Sequence, residues 1–150
     1  MRPEIMTSIQ LARWLYSNQG LYRNKSALDM GCGSGIQGVV MAIFGSKKVV
    51  LSDVSKDAVA NSKENIKKYE LENQCTVFES DLFENIEVSF DIIVFNHPFF
   101  GDIYKSGEEA AIEMLGGKTI IHRFFDQAKL HLNKNGTIVM PFFSFGRRNK

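Results

Sequence analysis

Two hydrophobic patterns take turns along the chain: short apolar runs of strand character, and longer stretches whose apolar positions recur every three or four residues. Ile5, Ile9, Ala12 and Leu15 or Tyr16 predict a helix over 3–16, within an N-terminal helical segment, 1–20. Residues 26–30, 48–53, 76–81, 90–96 and 137–140 read as strands, the fourth nearly continuous in apolar residues as buried parallel strands are. Between them, 36–44 suits a buried helix, and 57–71 suits a polar-backed one with Ala58, Val59, Ser62, Ile66 and Tyr69 inward. Ile120, Ile121, Phe124, Phe125, Ala128 and Leu132 predict a last helix that stops near Asn135-Gly136. Residues 99–118 lack a clear period, apart from a possible short helix at 108–115, and read as a lid or binding loop. This alternation predicts an α/β fold: a doubly wound, mainly parallel sheet.

Composition narrows the picture. At 150 residues, 44% hydrophobic and 23% charged, the chain is expected to form one globular domain over 1–150. Its net charge of +1 excludes general electrostatic attraction to nucleic acid or anionic lipid. No apolar run approaches the roughly 20 residues of a membrane span, and Met1-Arg2-Pro3-Glu4 lacks a signal-peptide layout, so a cytoplasmic location is expected. Cys32 and Cys75 read as reduced thiols, and with three histidines and no CxxC or HxxxH spacing no metal site is expected.

The chemistry concentrates where the predicted strands end. Asp29-Met30-Gly31-Cys32-Gly33-Ser34-Gly35 joins a strand to a helix through a loop in which a ligand can approach the backbone without meeting Cβ atoms. Gly33-x-Gly35-x-x-Gly38 also satisfies the dinucleotide pattern of nicotinamide enzymes, and a plain tight turn is the structural alternative. The carboxylate of Asp29 would oppose a cationic ammonium and repel a pyrophosphate, which favours a positively charged ligand. Asp53, ending the second strand, suits the two hydroxyls of a ribose; a helix-capping carboxylate is its other reading. Asp81 suits an exocyclic amine of adenine, with Leu82 and Val54 packing the ring, or is a turn residue. The terminal run Phe142-Phe143-Ser144-Phe145 and the basic residues after it suit a strand end with a solvated tail, or nucleic-acid contact.

These residues resemble the class I S-adenosylmethionine-dependent methyltransferases along nearly the whole chain. The resemblance implies a Rossmann-like methyltransferase fold, with S-adenosyl-L-methionine held by Thr7, Asp29, Gly31, Cys32, Gly33, Gly35, Asp53, Val54, Asp81, Leu82 and Asn96. Phe95-Asn96-His97-Pro98-Phe99 looks like the Asn-Pro-Pro-Tyr/Phe motif of enzymes that methylate a planar nitrogen: release-factor glutamine, RNA base and DNA adenine methyltransferases. An amide or exocyclic amine has a delocalised lone pair, so it needs its N–H groups held and its nitrogen aligned. The Asn96 side-chain oxygen and the His97 carbonyl could accept those hydrogen bonds, Pro98 shapes the loop, and Phe99 would stack on the acceptor. His97 stands where the family more often has proline, and its imidazole is either a proton acceptor or a bystander. Thr7 is either a cofactor neighbour or helix surface.

Expected partners are therefore a protein, RNA or DNA methyl acceptor and no membrane. A cofactor-binding but inactive subunit and a nicotinamide-dependent oxidoreductase are the rival readings. The family's sheet usually continues past a fifth strand, whereas this chain stops ten residues after Met140. The last two strands are thus expected to be missing or contributed from elsewhere, and a stabilising partner subunit or self-association at the incomplete edge is expected.

Overall fold

The computed structural model describes residues 3–97 and 120–141. It contains helix α1 (Pro3–Ser17), strand β1 (Ser26–Met30), α2 (Ile36–Ile43), β2 (Lys48–Asp53), α3 (Lys56–Lys68), β3 (Cys75–Glu79), β4 (Phe90–Phe95), a helix α4 over 120–128, and β5 (Leu132–Val139). The five strands form one sheet in the order β3-β2-β1-β4-β5, and every pairing is parallel. The architecture is that of an α/β, Rossmann-like doubly wound sheet.

Two apolar clusters cover its two faces. Leu11 and Leu15 of α1 and Met41 and Ala42 of α2 join Ala27, Val49, Leu51, Ile92 and Val94 of the strands on one side. On the other, Phe124 and Ala128 of α4, with Leu82, Phe83 and Ile86 of the β3–β4 connection, meet Leu28, Val50, Ile93 and Phe95. The central strands β1 and β4 are buried on both faces, which explains their uninterrupted apolar sequences.

Two expectations need correction. Tyr69, expected on the inner face of α3, is exposed and lies just past the helix, which ends at Lys68. On α1 the alternative of Leu15 or Tyr16 resolves to Leu15, which is fully buried, and Leu11 joins the buried stripe. The last helix does not run to Asn135-Gly136: helical structure stops at 128 and β5 begins at Leu132. Leu132 keeps helical spacing from Ala128, yet it packs against the same cluster from a strand paired with Phe90. A bulge then intervenes before Thr137 pairs with Ile92, and Asn135 turns the chain with φ 62°. The expected helix at 108–115, the loop at 99–118 and the terminal aromatic run at 142–145 lie outside the described residues.

Candidate active site

Strand order reverses between β1 and β4, and in doubly wound sheets a crevice opens at the carboxyl ends of strands flanking such a point. Met30, the last residue of β1, is level with Ser52 of β2 and Phe95 of β4. The glycine loop, Asp53 and Asn96 therefore leave the sheet side by side.

Gly33 and Gly35 take φ of +54° and +81°, a region that residues with a Cβ disfavour. A Cβ at Gly33 would meet nothing within 4 Å, so the loop presents bare backbone there, whereas one at Gly35 would strike Ser62 Oγ at 2.9 Å. Neighbouring elements brace the loop. The Cys32 N–H donates to the Ser52 carbonyl at 2.9 Å, Ser62 Oγ to the Gly33 carbonyl at 2.9 Å, and Asn65 Nδ2 to the Ser34 carbonyl at 2.8 Å. The Cys32 side chain turns into the core against Ser62, and burial pushes its thiol up to about 12. That thiol stays protonated and unreactive.

Asp29 is fully buried. Its Oδ2 accepts the Gly38 N–H at 2.8 Å, and its Oδ1 is buried without a partner. Burial raises its carboxyl to about 7; the Gly38 hydrogen bond opposes that rise and the nearby Asp53 charge adds to it. Asp53 is half-buried, with Oδ2 accepting the Gly33 N–H and Oδ1 the Ser55 N–H, both at 2.9 Å. Each oxygen keeps a second lone pair for a hydroxyl. Val54 is exposed beside it.

Asp81 is held by Arg123 of α4 at 2.8 Å. Leu82, expected against an adenine ring, is packed in the core with Phe83 and Ile86. Thr7 is buried on α1, one residue before Ser8, whose Oγ accepts a hydrogen bond from Asn96 Nδ2 at 3.1 Å. Asn96 Oδ1 is buried and has no partner. His97 is buried with its ring edge-on to Phe95, the centroids 5.9 Å apart. Pro98 and Phe99 lie outside the described residues. Ser8, Ser62, Asn65 and Arg123 all touch this constellation and escape a sequence reading, because nothing in their own neighbourhoods marks what they meet across the fold.

The chain matches the methyltransferase small domain family over residues 8–145. It belongs to that family. A candidate protein N5-glutamine methyltransferase of Methanocaldococcus jannaschii is 31% identical, over 92% of this chain and 72% of its own length. A release factor glutamine methyltransferase of Borreliella burgdorferi is 34% identical over 77% of this chain, and the aligned part spans only 44% of that protein. Among solved structures, a T. thermophilus 16S rRNA N2 G1207 methyltransferase, in complex with AdoMet and guanosine, shares the fold with a TM-score of 0.69 at 22% identity. That alignment covers 89% of this chain and 33% of the other.

This methyltransferase domain is thus of the S-adenosylmethionine-dependent class, and family membership does not favour the oxidoreductase or inactive-subunit readings. Its residues suit that cofactor. An orphaned buried carboxylate oxygen complements an ammonium, and the bare loop at Gly33 admits close approach. Gly38, the last glycine of the dinucleotide-like pattern, is used internally: its N–H is committed to Asp29, and a Cβ there would lie 2.6 Å from Leu51 Cδ2.

Proposed function

We propose that this domain methylates a planar nitrogen, with a protein glutamine amide as the preferred acceptor over a nucleobase exocyclic amine. The carrying observation is Asn96, whose amide nitrogen is committed to Ser8 while its carbonyl oxygen is buried and unpaired. Leaving such an oxygen unsatisfied costs about 1–3 kcal/mol, which an incoming N–H would relieve. The names of the archaeal and Borreliella relatives, both glutamine methyltransferases, support the amide over the base.

Asp29 would hold the cofactor's ammonium, Asp53 its ribose hydroxyls and the backbone at Gly33 its amino-acid portion, while Asp81 and Val54 would border the adenine. Bound there, S-adenosylmethionine supplies a methyl group made electrophilic by its sulfonium. Asn96 Oδ1 and the His97 carbonyl accept the two N–H bonds of the acceptor, hold its plane, and turn the nitrogen lone pair toward the cofactor. Pro98 and Phe99 follow in the sequence, and the family resemblance is what assigns them to the acceptor. Positioning carries the catalysis, and no acid–base pair is required of the protein. The same proposal places the domain in the cytoplasm as one globular unit.

The test is transfer of labelled methyl from S-adenosylmethionine into a cell lysate, followed by separation of protein from nucleic acid. Label in glutamine residues supports the reading, label in nucleobases moves the acceptor, and label in neither overturns it. Asp53→Ala is expected to weaken S-adenosylhomocysteine binding about 10-fold or more, as loss of a hydrogen bond to a charged group does. Asn96→Ala is expected to keep that affinity and lose turnover by about 10²-fold. Full turnover in Asn96→Ala would sink the mechanism.

A further inference from the structure

Asn96 presents a carbonyl to an acceptor only while its side-chain amide is held in one orientation. In this fold the holding contact comes from α1, 88 residues away in sequence: Ser8 Oγ takes the Nδ2 hydrogen at 3.1 Å, leaving Oδ1 as the buried, unpaired end. Ser8 is itself held, because Gln37 Nε2 donates to the Ser8 main-chain carbonyl at 3.0 Å. Gln37 is buried on α2, one residue before Gly38, whose N–H binds Asp29. A continuous path of hydrogen bonds and adjacent residues therefore runs from Asp29 through α2 and α1 to Asn96.

We propose that Ser8 is the positioning residue of the acceptor site: its hydroxyl holds the Asn96 amide with Nδ2 toward α1 and Oδ1 left for the acceptor, and Gln37 holds Ser8 in register with the glycine loop. The inference rests on the proposed role of Asn96 as acceptor of the substrate N–H. Without the Ser8 hydroxyl the amide can rotate by half a turn and present two donors to a nitrogen that also carries donors, which is repulsive. Ser8 acts on the orientation of the acceptor and not on the binding of the cofactor. The two effects are separable by measurement.

The experiment compares wild type, Ser8→Ala, Ser8→Thr and Gln37→Met. Three quantities are read: the exchange rate of the Asn96 side-chain amide protons by ¹⁵N NMR in the S-adenosylhomocysteine complex, the affinity of the ligand-free protein for S-adenosylhomocysteine by calorimetry, and initial rates with S-adenosylmethionine on a glutamine-containing peptide. Ser8→Ala is expected to speed exchange of the bonded Asn96 proton by about threefold to tenfold, the factor one modest hydrogen bond confers. It is expected to lower kcat about 10-fold or more while S-adenosylhomocysteine affinity holds. Ser8→Thr, which keeps the hydroxyl, restores both exchange and rate, and Gln37→Met moves exchange in the same direction by less. Unchanged Asn96 exchange in Ser8→Ala, a parallel loss of cofactor affinity, or failure of Ser8→Thr to restore the wild-type values overturns the proposal. If wild type leaves the peptide unmethylated, the glutamine reading fails, and the exchange and affinity measurements alone decide the role of Ser8.

Discussion

Asp29 combines full burial, one hydrogen bond and one unpaired oxygen, so its ionisation state links the fold to the ligand. Its carboxyl sits near 7 in the folded protein, raised first by burial, against about 3.9 for an unfolded aspartate. The folded state therefore holds a proton that the unfolded state has released. This contribution to stability is complete below about pH 4 and is lost as pH rises through 7. Asp29→Asn keeps an oxygen for the Gly38 N–H and cannot ionise. It is expected to be more stable than wild type at pH 8 and to lose the decline between pH 4 and 7, which thermal denaturation across that range would display. A bound ammonium reverses the preference, since it favours the carboxylate. S-adenosylhomocysteine is thus expected to bind more tightly as pH rises toward 8 and to displace a proton at pH 6, seen in calorimetry as a dependence on the buffer's ionisation enthalpy. A flat affinity profile would remove Asp29 from the cofactor site.

Among the elements, α2 is set close on the sheet by a missing side chain. A Cβ at Gly38 would lie 2.6 Å from Leu51 Cδ2 and 2.7 Å from its Cγ, and Leu51 is fully buried with little room to yield. Gly38→Ala gains about 1 kcal/mol of helix propensity and loses about 1–3 kcal/mol to overpacking. The expected net is a fall in Tm of roughly 2–4 °C, the shift that about 1 kcal/mol produces at this size; a rise would show that α2 can slide. On α4, the Arg123 guanidinium occupies the Asp81 carboxylate that the proposed adenine contact needs. Both side chains are partly exposed, so the pair is weak, and Arg123→Ala is expected to tighten S-adenosylhomocysteine binding by about twofold to fivefold in calorimetry. The strands, α2, α3, the glycine loop and the carboxylates at the strand ends were all legible in the sequence, because local periodicity and local motifs carry them. The bulged start of β5 was not, since Leu132 satisfies a helical stripe and a strand pairing equally well. The Ser8–Asn96 and Arg123–Asp81 contacts were not either, since each joins residues far apart in the chain that only the folded crossovers bring together.

At the scale of the molecule, the sheet order gathers Asp29, the glycine loop, Asp53 and Asn96 at one edge, on strands whose two faces are closed by separate apolar clusters. Among the described residues no helix is long and apolar enough to cross a membrane, and no group of His, Cys, Asp and Glu could hold a metal ion. The aligned part of the chain spans 72% of its archaeal relative and 44% of the Borreliella one. The proposed cofactor site lies at the carboxyl ends of β1, β2 and β4, so a ligand seated there would contact all three central strands together. Such a ligand binds only the folded chain and should stabilise it as a whole. At a concentration about 100 times its Kd, S-adenosylhomocysteine is expected to add about 2.7 kcal/mol. For a chain of 150 residues that is a rise in Tm of roughly 5–11 °C in a thermal melt. NAD, whose pyrophosphate would face the Asp29 and Asp53 carboxylates, is expected to leave Tm unchanged. Asp53→Ala should reduce the shift with S-adenosylhomocysteine, while Ser8→Ala should preserve it, because the proposed site sets the first residue against the ribose and the second on the acceptor side. A rise with NAD and none with S-adenosylhomocysteine would mean that the crevice is built for a different ligand.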